Sequence, residues 1–357
     1  MRFAVENRRG SQTAEMAGEL YICSGLDFGT LNTKSHVLMP DRIHNRLHDD
    51  ELPIDIQLAK RLVASQFPQF KDLPLIQLGA SGSTNILFRL GDELVVRMPR
   101  QPGAGTVILK EQQWLPFIGA RLSVSVPEFV VVGEPAFGYP EQWSIVRWLD
   151  GDMPRPTSLE VDTPEERNEL AADLASVILT LRQVELPESA LDEPTLRNYR
   201  GRSLQEFDRA TRYCIKQCRK IDGLNLDLDL ALSVWTDGLS LPGASAAGAD
   251  SWFHGDLVCE NLLLKDGKLS SVLDFGGLSI GDPTIDLHGA WELFDGPARE
   301  VFRARLNVDD AEWLRGRAWA LGIALGTFSY YWAKMPSRME CRLAMVRSVL
   351  EDVIAER

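Results

Sequence analysis

Apolar residues at helical spacing mark the first recognisable element of the chain. They recur at Leu58, Leu62 and Val63, and Pro68 ends the pattern. This spacing places apolar side chains on one face of a helix. Residues 1–50 show no sustained period, so we expect a loosely ordered N-terminal extension there.

Short apolar runs then alternate with turn residues, which predicts an antiparallel sheet. The pair Gly91-Asp92, followed by Glu93, separates two of these runs. Glycine at the first central position suits a two-residue type II′ hairpin turn. The predicted strands cover residues 76–78, 86–90, 94–98, 130–132 and 144–149, with a helix at 107–118.

The pattern changes from strands to helices after Asp150-Gly151-Asp152. Thr163 and Glu166 form a capping box around a first-turn proline, and this combination predicts a helix start. The further predicted helices cover about 197–220, 226–238, 286–294, 298–305, 310–333 and 337–355. One insert, at 253–275, interrupts these helices. Its short apolar runs are separated by Lys-Asp-Gly-Lys at 265–268, which predicts a short hairpin.

The charge balance of the chain disfavours some classes of partner. The 357 residues carry 38 Lys and Arg against 51 Asp and Glu, a formal charge of -13. Nucleic acids are bound by basic surfaces, so we expect no nucleic-acid partner and a mild preference for cationic small molecules. The most continuous apolar run, 319–333, is shorter than the roughly 20 residues of a membrane helix. Five cysteines, an odd number, indicate a reducing cytoplasm rather than a disulfide framework.

The segment with the most specific chemistry lies before and after the predicted hairpin. Residues 254–261 read His-Gly-Asp-Leu-Val-Cys-Glu-Asn, and residues 274–276 read Asp-Phe-Gly. The carboxylate of Asp256 can accept a proton from a hydroxyl. The oxygens of Asn261 and Asp274 are of the type that Mg²⁺ prefers. Either tripeptide by itself is more often a plain turn, but their ordered combination predicts phosphoryl transfer.

This combination resembles the aminoglycoside phosphotransferase family, a branch of the protein-kinase-like fold. The resemblance extends through Gly-Asp-Pro at 281–283 to Asp286 and covers about residues 52–340. It implies that Asp256 is the catalytic base, that Asn261 and Asp274 hold magnesium, and that His254 and Asp286 support the catalytic loop. No activation segment ending in Ala-Pro-Glu follows, which disfavours a protein kinase.

The fold class that the resemblance implies is α+β, with two lobes. We expect an N-lobe at 51–149, made of an antiparallel sheet plus a helix, that binds the nucleotide. A C-lobe at 150–357, mainly helical with a short catalytic hairpin, would bind the acceptor.

Candidates for nucleotide contact occur throughout the predicted N-lobe. The small residues Ser81, Gly82 and Ser83 would let backbone amides approach phosphate oxygens, although such a loop by itself is more often a plain turn. Residues 144–151 resemble the hinge between the lobes of this family, where backbone groups of Arg147 and Leu149 would hydrogen-bond adenine.

Arg97 stands where kinases carry a lysine that contacts the phosphates. Arginine keeps the positive charge but differs from lysine in shape and reach. Glu111 is its ion-pair partner by resemblance, and the alternative is a glutamate that faces solvent.

The acceptor site has fewer candidates. Trp291, Glu292 and Asp295 would line it by resemblance, and ordinary surface acids explain them as well. The expected activity is transfer of phosphate from ATP or GTP, with Mg²⁺, to a hydroxyl of a small molecule. An aminoglycoside-type antibiotic is favoured as acceptor, and a macrolide, choline or homoserine are alternatives. Arg97 leaves open a regulatory pseudokinase that only binds nucleotide.

Overall fold

The computed structural model describes residues 46–79, 82–156, 163–197, 200, 202–245 and 250–357. Most of the predicted N-terminal extension, residues 1–45, lies outside this set, as does Ser81. The described chain has an antiparallel sheet in its first part and mainly helices afterwards, as the sequence predicts.

The first part contains a five-stranded antiparallel sheet, as counted in the described residues, with strand order β1-β2-β3-β5-β4. Its central strand, β3, is buried along its whole length. The first helix packs against one face of the sheet, and Arg97 on the other face pairs with Glu111 of the second helix. The elements are α1 (Ile56–Gln66), β1 (Leu75–Gln77), β2 (Asn85–Leu90), β3 (Leu94–Pro99), α2 (Gly105–Gly119), β4 (Phe129–Gly133) and β5 (Trp143–Arg147).

The turn between β2 and β3 differs from its prediction. Leu90 pairs with Leu94, so three residues rather than two form the loop. Gly91 has a φ of 59°, the left-handed region that glycine adopts without strain. The glycine therefore has the expected role in a longer turn.

The second part is mainly helical. Thr163 and Glu166 form the predicted capping box at the start of its first long helix. The region predicted as one helix at 197–220 instead contains a 3-10 turn, Leu204–Phe207, followed by an α-helix. The α-helices are α3 (Pro164–Gln183), α4 (Glu188–Leu191), α5 (Asp208–Cys218), α6 (Leu228–Leu239), α7 (Ala290–Leu293), α8 (Gly296–Leu306), α9 (Asp310–Tyr331) and α10 (Pro336–Ala355).

Helix α9 lies at the centre of the helical core. Leu321 and Leu325 are fully buried, which accounts for the long apolar run in the sequence. Among the described residues, no helix combines the length and the hydrophobicity needed to cross a membrane.

Two small antiparallel ladders hold the segment that carries the predicted chemistry. One pairs β6 (Ser251–Phe253) with β9 (Ser279–Gly281), and the other pairs β7 (Leu262–Lys265) with β8 (Lys268–Val272). The second ladder is the predicted hairpin. Because each strand adjoins one of the two motifs, the ladders bring the His-Gly-Asp and Asp-Phe-Gly segments to one place.

Residues 46–52 connect the sheet to the helical part. The buried ring of His48 donates from Nε2 to the carbonyl oxygen of Ser83, at 2.7 Å, and its Nδ1 accepts from the Tyr330 hydroxyl, at 2.9 Å. Lys334 donates to the carbonyl oxygen of Leu47, at 2.7 Å. The last residues of the predicted extension therefore join the loop after β1 to the end of α9.

We predict that Gly289→Ala destabilises the fold. A Cβ atom at this position would lie 2.0 Å from the carbonyl oxygen of Leu257, which is backbone and cannot turn away. Such overpacking costs about 1–3 kcal/mol of unfolding free energy. Urea denaturation followed by tryptophan fluorescence measures this loss.

Gly296→Ala is the matched control, because no heavy atom lies within 4 Å of its added Cβ. Alanine is also a better helix former than glycine. We expect this variant to be as stable as the wild type or slightly more stable. Equal stabilities of the two variants would contradict the predicted clash.

Candidate active site

The loop at 254–256 is held by a buried carboxylate. Asp286 is 1% exposed, and its two oxygens accept the backbone N–H groups of His254, at 2.8 Å, and Gly255, at 2.6 Å. Burial raises the pKa of Asp286, while His254 and these two hydrogen bonds oppose the rise. The predicted supporting residue thus contacts the backbone of the loop directly.

The ring of His254 links the two motifs. The backbone N–H of Asp256 donates to its Nδ1, at 3.1 Å, so Nε2 carries the proton and donates to the carbonyl oxygen of Leu273, at 2.9 Å. The ring also packs edge-on against buried Phe275, with centroids 4.6 Å apart. The orientation of the first motif is thereby coupled to the second.

Asp256, Asn261 and Asp274 are brought together by this loop and the hairpin. Asn261 Nδ2 donates to the Asp256 side chain at Oδ2, at 3.0 Å, and to its backbone oxygen, at 2.9 Å. The N–H of Leu273, next to Asp274, donates to the carbonyl oxygen of Asn261, at 2.8 Å. Asp274 itself has a left-handed φ of 53° and accepts the N–H of Gly276, at 3.3 Å.

Positive charge surrounds the carboxylate of Asp256. Burial opposes its ionisation, but nearby cations, first among them Arg200, lower its pKa below the ordinary value. Arg200 Nη2 lies 3.7 Å from Asp256 Oδ1, and the Asp256 side chain is 32% exposed. Asp256 is therefore ionised and partly open to solvent at neutral pH. No sequence motif marks Arg200, because only the tertiary structure brings it beside Asp256.

The oxygen ligands available from the protein fit a divalent cation whose coordination is completed by phosphate oxygens. Within the described part of the chain, no group of three or more His, Cys, Asp and Glu residues is arranged to hold a metal. The available ligands are the carboxylate of Asp274 and the amide oxygen of Asn261, whose nitrogen is already used by Asp256. Mg²⁺ is usually bound by one or two such oxygens plus waters and substrate phosphates. The residues thus fit a magnesium ion that binds together with a nucleotide.

Arg97 and Glu111 form a buried ion pair between β3 and α2. Arg97 Nη2 lies 2.8 Å from Glu111 Oε2, and the two side chains are 9% and 0% exposed. The alternative of a glutamate that faces solvent is therefore excluded. Arg97 Nη1 has no hydrogen-bond partner among the described residues, which is consistent with a further, anionic partner.

Lys110, adjacent to Glu111 on α2, ties this helix to the second motif. Its Nζ donates to the carbonyl oxygens of Gly276, at 2.7 Å, and Leu278, at 3.0 Å. Burial lowers the pKa of Lys110 to about 8, although Glu111 and Asp274 oppose the shift. Sequence reasoning missed this residue because only the fold brings α2 to the loop after β8.

The other residues predicted to contact the nucleotide would do so through their backbone groups. The carbonyl oxygen of Gly82 accepts from Arg100 Nε, at 3.2 Å, and that of Ser83 accepts from His48. The N–H of Arg147 donates to the carbonyl oxygen of Glu128, just before β4, at 2.9 Å. Leu149 follows the end of β5 and is half-buried. Ser81 lies outside the described residues.

The structure does not bring Trp291 or Glu292 to an acceptor surface, because both are fully buried. Trp291 Nε1 donates to Asp352, at 2.9 Å. Glu292 accepts the N–H of Cys259, at 2.9 Å, and pairs with Arg342. Glu292 therefore holds the backbone of the segment between Asp256 and Asn261.

Asp295, the third acceptor candidate, is a helix cap. Its carboxylate accepts the N–H of Ala298, at 3.0 Å, and pairs with Arg167, at 3.0 Å. An N-cap carboxylate of this kind satisfies a free N–H at the start of a helix. The proposed acceptor role has no support from these contacts.

Comparison with known proteins identifies the family of the chain. The sequence model of the phosphotransferase enzyme family matches residues 75–319, more than half of the chain. The chain belongs to this phosphotransferase family. No curated protein matches it in sequence.

Solved structures that resemble this phosphotransferase share its kinase-like fold at low sequence identity. The GDP complex of aminoglycoside 2'-phosphotransferase-IIIa has a TM-score of 0.63 at 17% identity, covering 83% of this chain and 98% of that one. The macrolide 2'-phosphotransferase MphH from Brachybacterium faecium has a TM-score of 0.53 at 19% identity, covering 82% and 97%. The streptomycin-ATP-APH(2")-IIa ternary complex has a TM-score of 0.55 at 18% identity, covering 79% and 90%.

These findings confirm the family, the α+β two-lobed fold and the enzyme class expected from the sequence. The His-Gly-Asp and Asp-Phe-Gly motifs of this phosphotransferase therefore lie in the two-lobed α+β fold that the sequence predicts.

We predict that Arg97→Met destabilises the phosphotransferase increasingly as pH rises. Burial raises the pKa of Glu111, and Arg97 opposes that rise, so the variant raises the pKa further. When folding raises the pKa of a carboxyl group, the free energy of unfolding of the protein falls as pH rises above the ordinary pKa of 4.5. An uncompensated buried charge costs about 3–5 kcal/mol, so we expect that loss at pH 8 and a smaller one at pH 5. Urea denaturation at both pH values measures the difference.

The double variant Arg97→Met/Glu111→Gln is the control, because it removes the charge that Arg97 compensates. We expect it to recover much of the stability at pH 8 and to lose the extra pH dependence. If both variants show the same pH dependence, the cost comes from packing and not from the buried carboxylate.

Proposed function

We propose that this enzyme transfers the γ-phosphate of ATP or GTP, with Mg²⁺, to a hydroxyl of a small molecule. The observation that carries the proposal is the grouping of Asp256, Asn261 and Asp274. Asn261 contacts Asp256 through its side chain and the residue before Asp274 through its backbone. Phosphoryl transfer depends mainly on such positioning and on neutralising charge.

Asp256 is the proposed catalytic base. Its pKa is lowered, so it is ionised at neutral pH and can accept a hydrogen bond from the acceptor hydroxyl. It would take the hydroxyl proton as the oxygen attacks the γ-phosphorus. The hydrogen bond from Asn261 keeps the carboxylate in place, and its partly exposed oxygens leave room for the acceptor.

Asn261 and Asp274 are the proposed magnesium ligands. When bound there, Mg²⁺ would neutralise charge on the β- and γ-phosphates. Lys110 keeps the loop after Asp274 against α2, and His254 fixes the residue before it. The chain thus holds Asp274 from both sides.

Arg97 is the proposed phosphate anchor, and the nucleotide would lie between residues 51–149 and residues 150–357. The ion pair with Glu111 holds the guanidinium in place, and its Nη1 group has hydrogen-bonding capacity left. Structures of similar fold contain GDP, ADP or ATP, which supports a nucleoside triphosphate as donor. Because Arg97 makes the ion pair expected of the usual lysine, the pseudokinase alternative loses its main argument.

The proposed acceptor class is a small hydroxylated molecule. Structures of similar fold include aminoglycoside and macrolide 2'-phosphotransferases, and we propose these antibiotic classes as the first acceptors to test. The two acids expected at the acceptor site by resemblance, Glu292 and Asp295, are already paired with arginines. Arg200 adds positive charge beside Asp256. The panel of acceptors therefore includes macrolides, choline and homoserine beside aminoglycosides.

Asp256→Asn should lower kcat by at least about 10²-fold, because the amide cannot accept the hydroxyl proton. Nucleotide affinity should change little, since Asp256 is not a proposed phosphate contact. ADP release over the acceptor panel measures turnover, and calorimetry measures nucleotide binding. The control is Asp266→Asn in the hairpin turn, where asparagine also tolerates the left-handed φ of 53°.

Wild-type turnover in Asp256→Asn would refute the assignment of the base. Nucleotide binding by the wild-type enzyme without turnover on any acceptor would instead favour a pseudokinase.

Asp274→Asn should raise the Mg²⁺ concentration needed for half-maximal turnover by at least about 10-fold, because a charged ligand is lost. A Mg²⁺ titration at saturating nucleotide measures this shift. Asp266→Asn serves again as the control and should keep the wild-type Mg²⁺ dependence. An unchanged Mg²⁺ dependence in Asp274→Asn would exclude this residue as a ligand.

A further inference from the structure

We propose that Cys259 and Cys341 form a reversible disulfide when the enzyme meets a hydroperoxide, and that this bond inhibits catalysis. The bond follows from the geometry of the two thiols. Its effect on activity rests on the proposed function.

The two cysteines meet between the catalytic loop and the last helix. Cys259 begins the 3-10 turn Cys259–Asn261, between Asp256 and Asn261, and Cys341 lies on α10. Their sulfur atoms are 4.0 Å apart although 82 positions separate them in sequence. A disulfide has an S–S length of about 2.05 Å, so a shift of roughly 2 Å would close the bond.

The two thiols differ in access. Cys259 is buried at 7% exposure, whereas Cys341 is half-buried and is the thiol that an oxidant can reach. The Cys259 thiol donates to the Cys341 sulfur, and this hydrogen bond lowers the pKa of Cys341. Arg342, the next residue, favours the thiolate in the same direction. By contrast, Cys214 and Cys218 are each only 1% exposed.

The chemistry balances with one hydroperoxide per disulfide. The Cys341 thiolate attacks a peroxide oxygen, the O–O bond breaks, and a sulfenic acid and hydroxide form. The Cys259 sulfur then attacks the sulfenic sulfur, the S–S bond forms, and the S–O bond breaks as water leaves. With hydrogen peroxide, two thiols are oxidised, one peroxide is reduced, and two waters are produced.

Closing the bond would displace the catalytic loop. The N–H of Cys259 is held by Glu292, and Arg342 holds Glu292 and Glu260 on the same side. Pulling the Cys259 sulfur towards α10 therefore strains the turn between Asp256 and Asn261. Misplacement of catalytic groups by about 1 Å can cost about 10²-fold in rate. We expect the oxidised enzyme to lose at least about 10-fold in turnover.

The bond can be detected without any activity measurement. The full chain is treated with hydrogen peroxide, its remaining thiols are blocked, and it is digested with trypsin without reductant. Cys259 is the sole cysteine of the tryptic peptide 221–265, and Cys341 is that of peptide 339–342. We expect these two peptides to appear joined, two hydrogens lighter than their sum, and to separate on reduction.

Two variants make the test specific. Cys341→Ser should form no joined peptide and should keep its activity in peroxide. The matched control Cys23→Ser removes a thiol elsewhere in the sequence and should still form the joined peptide and lose activity. Dithiothreitol should restore turnover in the wild type and in this control.

The outcomes separate the two proposals. Absence of the joined peptide, or oxidation that stops at Cys341, overturns the disulfide. A joined peptide with full turnover overturns the inhibition. A joined peptide after oxidation, in an enzyme that turns over no acceptor even when fully reduced, supports the disulfide and counts against the proposed function alone.

Discussion

The site depends on one interaction, the pair of hydrogen bonds that the buried carboxylate of Asp286 accepts from the backbone of His254 and Gly255. A buried carboxylate is costly unless donors surround it, and here backbone N–H groups supply them. Because these donors belong to the loop, satisfying Asp286 also fixes the loop. His254 then carries the constraint to Leu273, the residue before Asp274. The proposed base and a proposed magnesium ligand thus share one support, although their motifs are separated in sequence.

A second constraint joins the sheet to this support. The ion pair of Arg97 with Glu111 fixes α2 against β3, and Lys110 on the same helix donates to the loop after Asp274. Breaking a buried ion pair leaves an uncompensated charge, so the pair specifies the position of the helix more than it adds net stability. The structure therefore links the proposed phosphate anchor to the proposed metal ligand through adjacent residues of one helix. A substitution at Arg97 would therefore also shift the loop after Asp274, and the reverse holds as well.

A third set of contacts, from α10 through Glu292, holds the segment between Asp256 and Asn261. Glu292 accepts the N–H of Cys259, and Arg342 neutralises Glu292 from the helix. This contact explains why an acid near the motif is fully buried and does not face an acceptor. The same approach places Cys341 beside Cys259. A helix that stabilises the loop in the reduced enzyme thus also provides the thiol through which oxidation would distort it.

The sequence by itself determined the family, the two-part fold and the order of the motifs, because these depend on local patterns and short spacings. The capping box at Thr163, the hairpin after Asn261 and the grouping of Asp256 with Asn261 all involve residues close in sequence. Only the tertiary structure decided the rest, because the pairs concerned come from distant parts of the chain. His48 against Tyr330, Lys110 against the loop after β8 and Cys259 against Cys341 are such pairs. Burial is also a property of the whole fold. The sequence around Glu292 is therefore compatible with a surface acid, although the side chain is fully buried in the structure.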